Sequence, residues 1–320
     1  EAQLDRKSRY VKGDMERAIK EHDWVEPLVV PIVPTLDPIL ISLRKKRIVL
    51  GLRQLVIFSK FLVRNGVFGD WRRGVREFSG EISKYFQPEI IWASFGNTDC
   101  WNIAQDLSRQ NDCPWVADVK DSWNAFVPVG FRRLVARRFY DMAGITCFSG
   151  VHKVQVTHFF KRDAMVIYSG FPKISFKKTK LRSPKVIMIT GSLYNSERAK
   201  VLIDGILSWF EKDPKIQNSV KIQYAGTDVE LFNKVVLPLK GRCKIISANF
   251  MRLEKLRLLQ SEAWINAYIY NEKSLFQHKP IELLSAGRPI LAVPSENDEV
   301  FSIAKLVNVD LLACSTQESI

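Results

Sequence analysis

The sequence predicts an α/β protein built from two doubly wound parallel-sheet units. Three observations carry this. From Pro88 onward, short β-branched runs alternate with amphipathic runs of helical period. A basic stretch without acids, Lys173–Lys185, interrupts the rhythm. The same rhythm then restarts and runs to Val293. Such alternation implies parallel strands covered by helices on both faces. A chain of 320 residues, 46% of them hydrophobic, has enough material for two cores.

The elements follow in order. Pro88–Ser94 (PEIIWAS) reads as a buried strand, and Asp99–Gln110 as a helix with Ile103, Ala104 and Leu107 on one face. Pro114–Val119, Ile145–Ser149 and Ala164–Tyr168 read as strands, and Phe131–Ala143 and Val151–Phe160 as helices. In the second half, Lys185–Thr190, Val220–Ala225, Cys243–Ser247, Ala263–Tyr268 and Pro289–Val293 are strands. The helices between them are Ser196–Phe210, Val229–Leu237, Met251–Gln260 and Pro280–Ala286. Upstream, Leu28–Val33 reads as a strand, and Ile48–Arg64 and Trp71–Phe86 as helices. No strand with a glycine-rich turn opens the chain, so the first unit is expected to lack its first strand. The expected division is 1–172 for a first domain, 173–185 for a linker and 186–320 for a second domain.

Composition narrows the function. A formal net charge of +14 implies an anionic partner: nucleic acid, acidic phospholipid or a phosphorylated substrate. The five cysteines form no CxxC pair and read as buried, reduced thiols of a cytoplasmic protein. The four histidines lack metal-ligand spacing. Val25–Leu43 is broken by prolines and Asp37, and Ile48–Val63 carries Arg53 and Lys60. Neither is the unbroken apolar run of about 20 residues that a membrane span needs.

Five segments, in order, resemble the retaining GT-B glycosyltransferases of the family-4 type, especially the bacterial enzymes that build surface polysaccharides. They are PEIIWASFGNTDCWNIAQDLSRQNDCPWVADVKDSW, ITCFSGVHKVQV with VIYSGFP, VIMITGSLYNSERA, KIQYAGTD and HKPIELLSAGRPILAVP. The resemblance runs from about Trp71 to Pro294 and implies a nucleotide-sugar donor and a saccharide or lipid-linked saccharide acceptor. It departs from the family pattern in two places. The first of two donor-site glutamates falls on Ser274 while Glu282 fits the second, and the usual Gly-Phe-Asp is Gly170-Phe171-Pro172.

The departing diphosphate of a sugar nucleotide needs its charge stabilised by a metal or by fixed cations and helix N-termini. No acidic Asp-x-Asp metal cluster is present, so no metal is expected. Gly191 and Ser192 sit between a strand and a helix, where glycine lets backbone approach a phosphate. The resemblance places Gly191, Arg198 and Lys279 against the diphosphate and Glu282 on the ribose hydroxyls, with Ser192 and Gly226 in donor-binding turns. Asn249, Phe250 and Met251 precede a helix and are either the frame of the base or plain loop. Asp118 and Asp121 lie at a strand's C-terminal end, where open α/β sheets bind ligands. Trp123 is expected to stack on a sugar or a lipid head; the plainer role for Asp118 is capping or loop ordering. The resemblance also implies that the leaving phosphate helps deprotonate the acceptor, with Asp121, Lys279 and Arg198 as the catalytic set.

From Arg44 to Arg76 there are ten basic residues and one acid, Asp70. Arg53, Lys60 and Arg64 share a helical face, which reads either as a membrane-surface element or as the solvated side of a core helix. Arg132, Arg133, Arg137 and Arg138 form a second basic cluster. Two rival readings are a catalytically inactive GT-B scaffold and a basic nucleic-acid-binding protein. Against the latter, no nucleic-acid-binding signature is present and the aromatics do not interleave with the basic runs.

Overall fold

The computed structural model describes residues 12–30, 38–45, 50–64, 66–67, 69–170, 183–249 and 251–320. The chain divides into two compact units, Glu1–Tyr168 and Ser169–Ile320. Most of the expected linker, residues 173–182, lies outside the described residues, as do Phe171, Pro172 and the end of the expected Leu28–Val33 strand.

In the first unit, four helices precede the sheet: α1 (Lys12–Glu21), α2 (Pro38–Arg44), α3 (Leu50–Arg64) and α4 (Gly69–Tyr85). Then come β1 (Ile91–Ser94), α5 (Thr98–Asn111), β2 (Trp115–Val119), α6 (Trp123–Phe126), α7 (Arg132–Arg137), β3 (Gly144–Cys147), α8 (Gly150–Phe160) and β4 (Met165–Val166). The strands pair in parallel in the order β1-β2-β3-β4. Helix α5 begins where the Asn97 side chain accepts the Asp99 amide at 2.8 Å, and stops at Asp112 in the left-handed region. Its buried Trp101 meets Phe95, Trp115, Trp123, Phe139 and Phe160 in an aromatic core.

Two expected elements of this unit change. The helix expected over Phe131–Ala143 is only α7. Beyond it the Arg138 and Phe139 amides bond back three residues, to Val135 and Ala136. This tighter winding drops Phe139 and Met142 into the core and sends the Arg138 guanidinium to the carbonyls of Phe61 and Leu62, both at 3.0 Å. Leu28–Val30 joins no strand; Leu28 and Val30 pack instead on Met15, Ile19 and Phe78, and Val29 is exposed.

Helix α3 is turned the other way from its basic-face reading. Arg53 and Lys60 are half-buried, and the Arg53 Nε is buried without a hydrogen-bond partner among the described residues. Leu52, Leu55, Phe58, Leu62 and Val63 are exposed instead. Arg72 and Arg76 are not a free basic patch, since both bind the Asp106 carboxylate, at 2.5 and 3.0 Å. Lys46, Arg47 and the side chains of Arg44 and Arg64 lie outside the described residues.

The second unit runs β5 (Lys185–Thr190), α9 (Ser196–Lys212), β6 (Val220–Ala225), α10 (Val229–Val235), β7 (Lys244–Ala248), α11 (Leu253–Glu262), β8 (Ile265–Ile269), α12 (His278–Leu284), β9 (Ile290–Val293), α13 (Asp298–Leu306) and β10 (Leu311–Ala313). All six strands are parallel, in the order β7-β6-β5-β8-β9-β10. Counted within the unit this is 3-2-1-4-5-6, the dinucleotide-binding order. Helix α9 carries its apolar residues at helical spacing: Ala199, Leu202, Ile203, Ile206 and Phe210 pack on Ile187, Ile189 and Ile222 of β5 and β6. Each fully buried aliphatic side chain of this kind is worth about 1.5–3 kcal/mol.

Candidate functional site

In a sheet of this order the connections leave in opposite directions from the two central strands, and ligands bind outside the strand ends at that point. Here the point lies between β5 and β8. Strand β5 ends at Thr190, and the chain turns through Gly191 at φ +89°, a conformation that favours glycine. Tyr194 is also left-handed, at φ +50°, before Asn195 caps α9 by accepting the Glu197 amide at 2.8 Å.

The neighbouring strand holds this turn. The Gly191 amide donates to the Ala225 carbonyl at 2.9 Å. The Tyr224 hydroxyl donates to the Gly191 carbonyl at 2.9 Å and accepts the Asp228 amide at 3.0 Å. Asp228 in turn accepts the Leu193 amide at 2.7 Å, and the Ser192 and Thr227 hydroxyls lie 3.3 Å apart. Gly226 is dictated by this contact, because a Cβ there would come 2.2 Å from the Gly191 carbonyl oxygen. The Gly191 and Leu193 amides are thereby occupied, while that of Ser192 has no acceptor among the described residues.

Helix α12 brings the charge. Lys279 crosses above Gly191 so closely that a Cβ at 191 would meet its Cε at 3.2 Å. Its Nζ lies 2.6 Å from Glu282 Oε2, and His278 Nε2 is 3.3 Å from Oε1. Burial works against ionising Glu282. The hydrogen bonds and charges of His278 and Lys279 outweigh it and hold the carboxyl at about 2. Beside the site, Thr190 Oγ1 and Gln277 Oε1 are buried without a hydrogen-bond partner among the described residues.

Arg198, in the first turn of α9, pairs with Glu272 of the loop after β8 at 3.0 Å. The pair spans the β5 and β8 sides of the switch point, so Arg198 is at the rim with its charge already engaged. Ser274 serves a turn: its hydroxyl donates to the Phe276 carbonyl at 2.9 Å and its amide to the Asn271 carbonyl at 2.8 Å. Asn249 lines a hollow of about 400 Å³ with Thr227, Asp228, Glu230 and Lys234. Met251 packs on Met188, Ala225 and Ala263, and Phe250 lies outside the described residues.

The acceptor-side residues of the first unit fare differently. Trp123 cannot stack on a ligand: it is fully buried, its ring lies on Trp101 at 5.5 Å and 24°, and its Nε1 donates to the Arg132 carbonyl at 3.3 Å. Asp118 is also buried, and accepts the hydroxyls of Ser94 and Thr146, each at 2.7 Å. It bridges β1, β2 and β3 and is neither a cap nor an open acceptor-side acid. Asp121 is at the surface, where partial desolvation pushes its carboxyl above the ordinary value.

The structure therefore brings Gly191, Ser192, Gly226, Lys279 and Glu282 together, with Arg198 at the rim. Tyr224, Asp228, Glu272 and His278 belong to the same constellation and went unread in the sequence. Their nearest sequence signal is the Tyr-x-x-x-Asp spacing of YAGTD, which sets both side chains against the β5 turn.

Solved structures share the fold. The α,α-trehalose-phosphate synthase (UDP-forming) of Burkholderia xenovorans, in complex with glucose-6-phosphate, aligns over 79% of this chain and 69% of its own, with a TM-score of 0.52 and 12% identity. A trehalose-6-phosphate protein of E. coli bound with UDP-2-fluoro glucose covers 79% and 68%, with a TM-score of 0.51 and 9% identity. Accessory secretory protein 1, 2 and 3 of Streptococcus pneumoniae covers 77% of this chain and 48% of its own, with a TM-score of 0.51 and 11% identity. The chain thus has the GT-B fold, with its two Rossmann-like units. No protein-family model and no curated protein matches the sequence.

Proposed function

We propose that the chain is a sugar-nucleotide-dependent glycosyltransferase of the retaining type, acting on a saccharide or lipid-linked saccharide in cell-surface polysaccharide synthesis. The observation that carries this is Lys279 poised over the left-handed Gly191 turn at the switch point of a 3-2-1-4-5-6 sheet. A diphosphate seated there would meet the Ser192 amide, the Lys279 ammonium and the N-terminal end of α9, with Arg198 reached by releasing Glu272. Glu282, ionised throughout the physiological range, offers its oxygens to the ribose hydroxyls while holding Lys279 in place.

In the proposed reaction the donor's glycosidic C–O bond breaks toward the diphosphate. Lys279 and the turn amide stabilise the charge that accumulates there, without need of a metal. The departing phosphate takes the acceptor proton as the new C–O bond forms on the same face. Asp121, whose carboxyl partial desolvation raises above its ordinary value, is assigned to the acceptor hydroxyl. A cytoplasmic location, where sugar nucleotides are found, fits this reading.

Calorimetry across uridine and guanosine sugar nucleotides tests it, with UDP-glucose first because a protein of the same fold is bound with UDP-2-fluoro glucose. Binding is expected, and Lys279→Ala should weaken it roughly 10- to 100-fold by removing a charge-assisted contact. Failure of every sugar nucleotide to bind would overturn the proposal. Ser274 in place of a glutamate favours a second reading, a scaffold that binds the donor without turnover. Product formation from a bound donor decides between the two.

A further inference from the structure

The exposed side of α3 is mostly apolar, with Gln54 and Ser59 its exposed polar residues, which is unusual for a helix on a protein surface. Leu55 is 64% exposed and Val63 81%, with Leu52 and Leu62 beside them. The segment around α7 adds to this side. Phe131 meets Phe58 of α3 edge-on at 4.4 Å, and Arg138 grips the α3 carbonyls at Phe61 and Leu62. On the segment so tied to α3, Val129 is 77% exposed and Leu134 is also exposed.

Charge says what covers this face. Neither α3 nor Val129–Arg138 contains an acid. Arg133 and Arg137 are exposed and have no acidic partner among the described residues, whereas the Arg132 guanidinium is spent on the carbonyls of Val127 and Asn124. A second copy would bring the same acid-free basic face against this one, in a chain of net charge +14. An anionic lipid surface instead receives the leucines between its headgroups and the arginines against its phosphates. At 15 residues, with its leucines outward, α3 is suited to lie in the interface. No helix among the described residues is long and apolar enough to cross a membrane.

We infer that Leu52, Leu55, Leu62 and Val63 of α3, with Val129, Leu134, Arg133 and Arg137 alongside, form a docking face for an anionic phospholipid surface. Flotation of the full chain with phosphatidylcholine vesicles, with and without phosphatidylglycerol, tests this. Binding is expected only with phosphatidylglycerol and should fall as salt rises. Leu55→Gln/Leu62→Gln and Arg133→Gln/Arg137→Gln should each lower the partition coefficient about tenfold or more, with the thermal midpoint unchanged. No binding to phosphatidylglycerol vesicles, or binding indifferent to the leucine pair, would overturn the inference. So would a dimer in light scattering that dissociates in the leucine variant, which would assign the face to a second copy.

Discussion

The Tyr224 hydroxyl donates to the carbonyl oxygen of Gly191 at 2.9 Å, so the turn that closes β5 is oriented from β6. The Tyr224 hydroxyl also accepts the Asp228 amide, and Asp228 returns to the turn at Leu193. Tyr224→Phe keeps the ring stacked on Phe232 and removes only these bonds. It should cost about 1–2 kcal/mol in urea unfolding, since a half-buried carbonyl and amide lose their partner. Sugar-nucleotide affinity should fall alongside.

Gly191→Ala meets two obstacles, the left-handed backbone and the Lys279 side chain. Lys279 can shift, so the loss of stability should be about 1–2 kcal/mol, while donor affinity drops further because the ammonium has moved. Gly226→Ala collides with backbone and with the Tyr224 hydroxyl, and should cost more, about 2–3 kcal/mol. Thermal melts of the two variants, with and without donor, check the order.

The Glu282 carboxyl sits at about 2 in the folded chain, below its ordinary 4.5. A lowered folded-state value means the stabilisation is whole above about pH 4.5 and is lost as pH falls toward 2. Partial exposure limits its size to about 1–2 kcal/mol. Glu282→Gln should therefore flatten the stability profile between pH 5 and 2 by about this amount and leave the slope near neutrality unchanged. Urea midpoints across that window measure it.

Asp118→Ala should cost about 2–4 kcal/mol, because the Ser94 and Thr146 hydroxyls would be stranded beside an emptied buried site. Donor affinity in the folded fraction should not change. Asp118→Asn, which still accepts a bond, should fall between. Equal stability of wild type and Asp118→Ala would contradict the bridging role.

The strands of the second unit were the most legible elements. KVIMIT is apolar or β-branched after its lysine, VKIQYA sets Val220, Ile222 and Tyr224 in alternation with Lys221 and Gln223, and both match their observed bounds, Lys185–Thr190 and Val220–Ala225. The glycine and lysine of the site could be read because strand–Gly–helix and Lys-Pro at a helix start are local patterns. The Asp118 and Trp123 assignments could not be made that way. An acid at a strand end looks the same whether it faces a ligand or neighbouring strands, and only the pairing of β2 with both β1 and β3 decides. The outward face of α3 was equally hidden, because an amphipathic pattern says which residues share a side and not which side is covered. Arg198 and Glu272 are 74 positions apart, and nothing local announces their meeting.

Because β6 and β7 precede β8 in the chain, the residues of the Gly191 turn and of its β6 brace are made well before the lysine that covers the turn. A ribosome-bound intermediate ending near Ser261 would display the glycine turn with no cation above it. On the proposed function, competence to hold a nucleotide would be withheld until α12 has emerged, which would make ligand protection a late checkpoint on synthesis of the whole unit.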